Sequence, residues 1–208
     1  MDYLEVSGVR IYDARSLVPL AQYADGAEDK TGYTVHHDAV PFGKLTIGDE
    51  IARIQAIDEY HRNHNQWPGI GYHRVIAPSG RTYLVGSSST VRAHVEGLNH
   101  LWIGYCLLGD WTTLRPPDEQ MHALRVVTQW ETDRRGIPME IAPHKRVNPG
   151  TACPGGWAAV DAWQGVVLQP GAPTPIPPPP VTPQPFPLDP RFKQARDLLT
   201  DAIDAWPV

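Results

Sequence analysis

Apolar and polar positions follow two different rhythms along this chain. Ile47, Ile51 and Ile54 return at helical spacing, with Thr46 and Asp49 standing as a capping box ahead of them, which predicts a helix over Ile47–Asn63. A second helix is expected over Asp118–Arg135, preceded by Pro116 and Pro117 and closed by Gly136. Residues 101–108, LWIGYCLL, are almost continuously apolar, as in a central strand covered on both faces. Residues 33–36 read as a strand that ends in polar residues. Residues 72–76 and 82–85 read as a hairpin across Ala77-Pro78-Ser79-Gly80-Arg81, and residues 139–142 as a last strand. This alternation predicts an α/β fold: a mixed, twisted sheet of about five or six strands flanked by helices.

The rhythm breaks at residue 169. Residues 169–190 hold half of the chain's 22 prolines, including the run 177–180, so neither a helix nor a central strand can form there. The expected organisation is a folded domain over 1–168, a proline-rich linker over 169–190 and a short amphipathic helix over 191–208. In that helix Phe192, Ala195, Leu199, Ile203 and Trp206 fall near helical spacing.

Composition narrows the partners. The 208 residues carry a net charge of −5 and no basic stretch, which argues against nucleic acid. No apolar run approaches the roughly 18 residues that span a bilayer, and the first residues lack the pattern of a signal peptide. A monomer starting in a cytoplasm is expected. Of the two cysteines, Cys106 reads as a buried strand residue and Cys153 as a loop residue suited to a metal, with no disulfide between them.

Three segments put metal-type or polar side chains just beyond strands. Val35-His36-His37-Asp38 delivers two adjacent histidines to a strand end, and alternation lets one of them face a cleft. His144 and Cys153 flank a loop rich in proline and glycine that can fold back on itself. One histidine of the first pair, His144 and Cys153 would make a three-ligand zinc site with a position left for water. Tyr72 with His73, and the segment 92–99, add polar groups around the same sheet. His61, His64, His100 and His122 read as surface residues. Trp102, Trp130, Trp157 and Trp163 read as packing, and Trp111 as a candidate groove residue.

In order, Val35-His36-His37-Asp38-Ala39, Gly71-Tyr72-His73, residues 93–99 running into 103–110, and His144 through Cys153-Pro154-Gly155 resemble the type 2 N-acetylmuramoyl-L-alanine amidases. That family includes phage T7 lysozyme and the animal peptidoglycan recognition proteins. The resemblance covers residues 30–160. It implies a zinc enzyme that cuts the amide between the lactyl group of N-acetylmuramic acid and L-alanine in bacterial peptidoglycan. It implies one Zn2+ held by His36, His144 and Cys153, with Tyr72 and Thr151 as catalytic groups and His37, His94 and Asn99 contacting substrate. Two positions depart from relatives: Thr151 stands where T7 lysozyme has a lysine, and Cys106 where recycling enzymes have a glutamate. The pattern implies a phage endolysin, made in a host cytoplasm and reaching the wall through a membrane lesion. A cytoplasmic recycling amidase and a non-catalytic recognition protein are the alternatives.

Overall fold

Ile103, Tyr105 and Leu107 face one apolar cluster and Cys106 and Leu108 the other, and this alternation organises the molecule. The structure is a computed structural model, and it describes residues 1–19, 23–24, 30–41, 43, 45–159 and 165–173. Its strands are β1 (Tyr3–Val6), β2 (Val9–Asp13), β3 (Gly32–His37), β4 (Arg74–Ile76), β5 (Thr82–Leu84), β6 (Trp102–Leu107), β7 (Met139–Pro143) and β8 (Val166–Leu168). They form one eight-stranded sheet in the order β1-β2-β5-β4-β6-β3-β7-β8. β4, β6, β3 and β7 run parallel, β2 and β5 pair parallel, and the β1/β2, β4/β5 and β7/β8 pairs are antiparallel.

Helix α1 (Ile47–Asn63) covers one face and α2 (Asp118–Arg135) the other. Ile103, Tyr105 and Leu107 of β6 and Tyr33 and Val35 of β3 pack with Met121, Leu124 and Val127 of α2. Cys106 and Leu108 turn the other way, to Ile54 and Ile57 of α1. Both predicted helices form over the expected residues, and the Thr46–Asp49 capping box is complete. The fold class is as expected. The sheet is larger than expected because β1, β2 and β8 extend its edges.

The α2 face also holds a buried ion pair. The Arg74 guanidinium binds Glu131, whose other oxygen accepts from the Tyr105 hydroxyl at 2.6 Å. The first residues of the proline-rich segment dock on α2: Gln129 donates to the Gln169 carbonyl at 2.9 Å and Gly171 N–H to Asp133 at 2.8 Å. The remainder of the expected linker and the whole 191–208 segment lie outside the described residues. No described helix is long and apolar enough to cross a membrane.

Candidate metal centre

Strand alternation aims His36 at the α1 face, because Val35 before it packs toward α2. His36 is buried and stands in register with Cys106 on β6. His144 opens a short turn, α3 (His144–Val147), directly after β7. β7 pairs in parallel with β3, so their carboxyl ends emerge side by side. Ligand sites of open α/β sheets gather at such ends. The His36 and His144 rings lie 4.4 Å apart between centroids.

Cys153 reaches them through a loop tied at several points. Lys145 N–H donates to the Cys153 carbonyl at 2.8 Å, and Lys145 Nζ to the Gly155 carbonyl at 2.6 Å. Cys153 N–H donates to Thr151 Oγ1 at 3.1 Å, and His37 N–H points at Cys153 Sγ at 3.5 Å. His36 Nδ1 is 3.9 Å from Cys153 Sγ, and one donor atom from each of His36, His144 and Cys153 lies within 4.8 Å of the others.

These donors fit zinc. A tetrahedral ion with metal–nitrogen and metal–sulfur bonds of ~2.05 and ~2.3 Å holds N and S about 3.6 Å apart, close to the 3.9 Å seen. Burial lowers both imidazoles below their ordinary value, so both keep a free lone pair. Burial pushes the Cys153 thiol up to about 11, so only an adjacent cation would make it a thiolate at neutral pH. Both cysteines are free thiols.

Tyr72, half-buried just ahead of β4, lies 5.3 Å from His36 between ring centroids. Burial and the neighbouring Cys106 and Cys153 push its phenol well above the ordinary value. Thr151 is half-buried in the Cys153 loop. His37 accepts from Trp111 N–H through Nδ1 at 3.1 Å and lines a groove of about 600 Å³. Tyr72, His61, Ile57, Tyr60 and Arg53 share its wall. Arg53 Nε donates to Asp38 at 2.7 Å, and Asp38 also accepts from Gly109 N–H at 2.7 Å.

Several residues sit elsewhere than expected. His94 lies behind the donors, buried against His36, and does not line the groove. Asn99 shapes the loop that carries His94: its side-chain oxygen accepts from both His94 and Val95 N–H at 2.8 Å. His61 is buried, accepts from Gly71 N–H at 3.0 Å and meets the Tyr72 ring at 5.5 Å. Its signal was present in the sequence, since Ile54, Ile57 and His61 continue one helical stripe. Trp111 is core, packed under Gly109 and Gly155, and contributes to the site through its backbone. His122 is half-buried, whereas His64 and His100 are exposed as expected. Trp102 and Trp157 are buried, Trp130 packs against the core, and Trp163 lies outside the described residues. Two supporting residues were unforeseen. Lys30 is fully buried, with Nζ donating to the Asn99 and Trp102 carbonyls at 2.8 and 3.2 Å. Gly104 leaves the space the His94 ring fills, since a Cβ there would stand 2.7 Å from it.

Comparison with known proteins gives a consistent answer. Peptidoglycan-recognition protein LB of Drosophila melanogaster is 26% identical over 133 residues, 62% of this chain and 57% of that protein's length. The solved structure of Drosophila PGRP-LB superposes with a TM-score of 0.67 at 22% identity, covering 74% of this chain and 94% of that one. A mutant of that protein has been solved in complex with tracheal cytotoxin. The N-acetylmuramoyl-L-alanine amidase LysC from Clostridium intestinale is 26% identical with a TM-score of 0.54, covering 66% of this chain and 84% of that one. The family model Amidase_2, described as N-acetylmuramoyl-L-alanine amidase, matches residues 28–156. That match spans more than half of the chain and includes His36, His144 and Cys153, and the protein therefore belongs to the type 2 N-acetylmuramoyl-L-alanine amidase family.

Proposed function

We propose that the protein hydrolyses the amide between the lactyl group of N-acetylmuramic acid and L-alanine in bacterial peptidoglycan, with one zinc ion held by His36, His144 and Cys153. The observation that carries this reading is the convergence of two imidazoles and a thiol, donor atoms within 4.8 Å, beside a groove of about 600 Å³. When bound there, zinc supplies Lewis-acid polarisation of the scissile carbonyl and an acidified water.

The chain supplies the rest. Burial makes Tyr72 hold its proton more tightly than a free phenol, and it offers that proton to the carbonyl oxygen as charge develops there. Thr151 Oγ1 already accepts from Cys153 N–H, which leaves its own proton for a second such hydrogen bond. His37 receives Trp111 N–H at Nδ1, so its Nε2–H is the donor available to substrate. Cys106 occupies the floor of the site as a buried thiol pushed well above its ordinary value, which makes it inert as a base.

Purified peptidoglycan digested by native, chelator-stripped and zinc-restored protein tests this. Mass spectra are expected to show intact lactyl groups and free L-alanine amines, with turnover lost on stripping and regained with zinc. Cleavage within the glycan or the peptide would overturn the bond assignment. Full activity of stripped protein would overturn the metal.

The biological setting we propose is that of an endolysin acting on intact wall after release through a membrane lesion. Two features support it over muropeptide recycling: Cys106 in place of a glutamate, and the proline-rich segment 169–190. Clearing of whole walls, compared with hydrolysis of soluble anhydro-muropeptides, separates the two. Retention of all three donors favours catalysis over binding alone.

A further inference from the structure

Behind the three donors lies a chain of hydrogen-bonding groups whose proton positions are forced. His94 Nε2 is 3.0 Å from the Trp102 carbonyl oxygen. A carbonyl only accepts, so Nε2 carries the hydrogen. The His94 ring is buried beside the Lys30 ammonium, which binds the same carbonyl, and so holds a single ring hydrogen. Its Nδ1 therefore has a lone pair, and that atom faces His36 Nε2 at 3.4 Å. His36 must donate there, which leaves its Nδ1 unprotonated and turned to Cys153 Sγ at 3.9 Å. The Trp102 carbonyl is itself fixed by Lys30, which donates to it at 3.2 Å.

We propose that His94 is a positioning residue for the metal centre: anchored by the Trp102 carbonyl, it holds His36 in the one tautomer and ring orientation that presents Nδ1 as a ligand. The relay rests on the metal reading of His36, His144 and Cys153, and extends it to a residue that does not line the groove. The fold is shaped around it. Gly104 clears the space for the His94 ring, and Asn99 pins the His94 backbone. His73 is held alongside in the same way, with Nδ1 accepting from Gly104 N–H at 2.9 Å and Nε2 donating to the Thr90 carbonyl at 3.0 Å. Partners of this kind typically govern ligand affinity by roughly 10–100-fold.

Two measurements test the relay. Long-range 1H–15N spectra of the metal-free native protein are expected to show His94 and His36 both neutral with the proton on Nε2. A proton on Nδ1 of either ring overturns the proposal without any variant being made. Zinc affinity by chelator competition is expected to fall roughly 10–100-fold in His94→Ala. His94→Asn, whose side-chain oxygen stands near the place of Nδ1, is expected to recover much of that loss. A purely structural role would lower the folding stability of both variants and leave the zinc affinity of the folded fraction unchanged, and that result overturns the proposal. Native protein that binds zinc while His94→Ala binds it equally defeats the relay alone. Native protein that takes up no zinc defeats both the relay and the metal reading.

Discussion

Cys153 and Tyr72, both half-buried, hold their protons more tightly than the free side chains, yet the proposed mechanism asks opposite things of them. The thiol must lose its proton to a metal, whereas the phenol must hold its own to donate. Cys153→Ser is therefore expected to abolish zinc uptake and turnover together, read by metal analysis and amide cleavage. Tyr72→Phe is expected to retain zinc and lose roughly 10²-fold in turnover, the scale of one lost donor to a developing oxyanion. Equal loss of zinc in Tyr72→Phe would move Tyr72 into the ligand-support layer. At this scale residue type and strand-end position singled out His144, Cys153 and one histidine of the 36/37 pair as candidate donors, and only the family resemblance pointed to His36. The roles of His94 and Lys30 were not readable there, because burial by distant segments is what gives them. Lys30 reads as an ordinary surface lysine until the Asn99 and Trp102 carbonyls close over it.

Among the elements, the two helices are the most locally determined. Thr46 accepts from Asp49 N–H at 3.2 Å and Asp49 accepts from Thr46 N–H at 2.8 Å, a reciprocal cap written in four residues. Thr46→Ala is expected to lower stability by about 1 kcal/mol with activity unaffected, measured by denaturant unfolding. The contact of α2 with the sheet depends on a pair far apart in sequence. Glu131 is buried against Arg74 and Tyr105, so Glu131→Ala would strand a buried guanidinium. A loss of about 3–5 kcal/mol is expected, and a loss under 1 kcal/mol would show that water reaches Arg74. The short strands β1, β2 and β8, at the two flanks of the sheet, escaped the pattern because strands of three to five residues carry too few alternations to stand out.

For the whole molecule, a layer of neutral histidines between sheet and α1 couples folding to pH. Burial lowers His61 to about 4 and His94 to about 3, against 6.5 for the free side chain. Between those values the unfolded chain binds protons that the folded chain refuses. Stability is therefore full above pH 6.5 and falls as pH drops toward the folded values, by about 2 kcal/mol per ring at pH 5. The denaturant midpoint of metal-free protein is expected to fall between pH 7 and pH 5. An unchanged midpoint would mean the rings are solvated. On the proposed reading zinc would act on the same balance, since a ligand bound only by the folded state adds about 2.7 kcal/mol at a hundredfold excess over its dissociation constant. Chelation is thus expected to lower the melting temperature of native protein and leave that of Cys153→Ser unchanged.

By itself the sequence determined the helices, the central strand and the α/β class, since each follows from side-chain period over a few residues, and it offered His144, Cys153 and one of two adjacent histidines as candidate donors. Tertiary structure alone decided that β3, β6 and β7 run parallel, so that His36 and His144 emerge together and Cys153 folds back to meet them. It alone decided which histidine touches a groove and which lies behind a ligand. The physical reason is the same in each case: a hydrogen bond or a buried charge takes its meaning from the partner across the sheet, and that partner is set by packing at a distance.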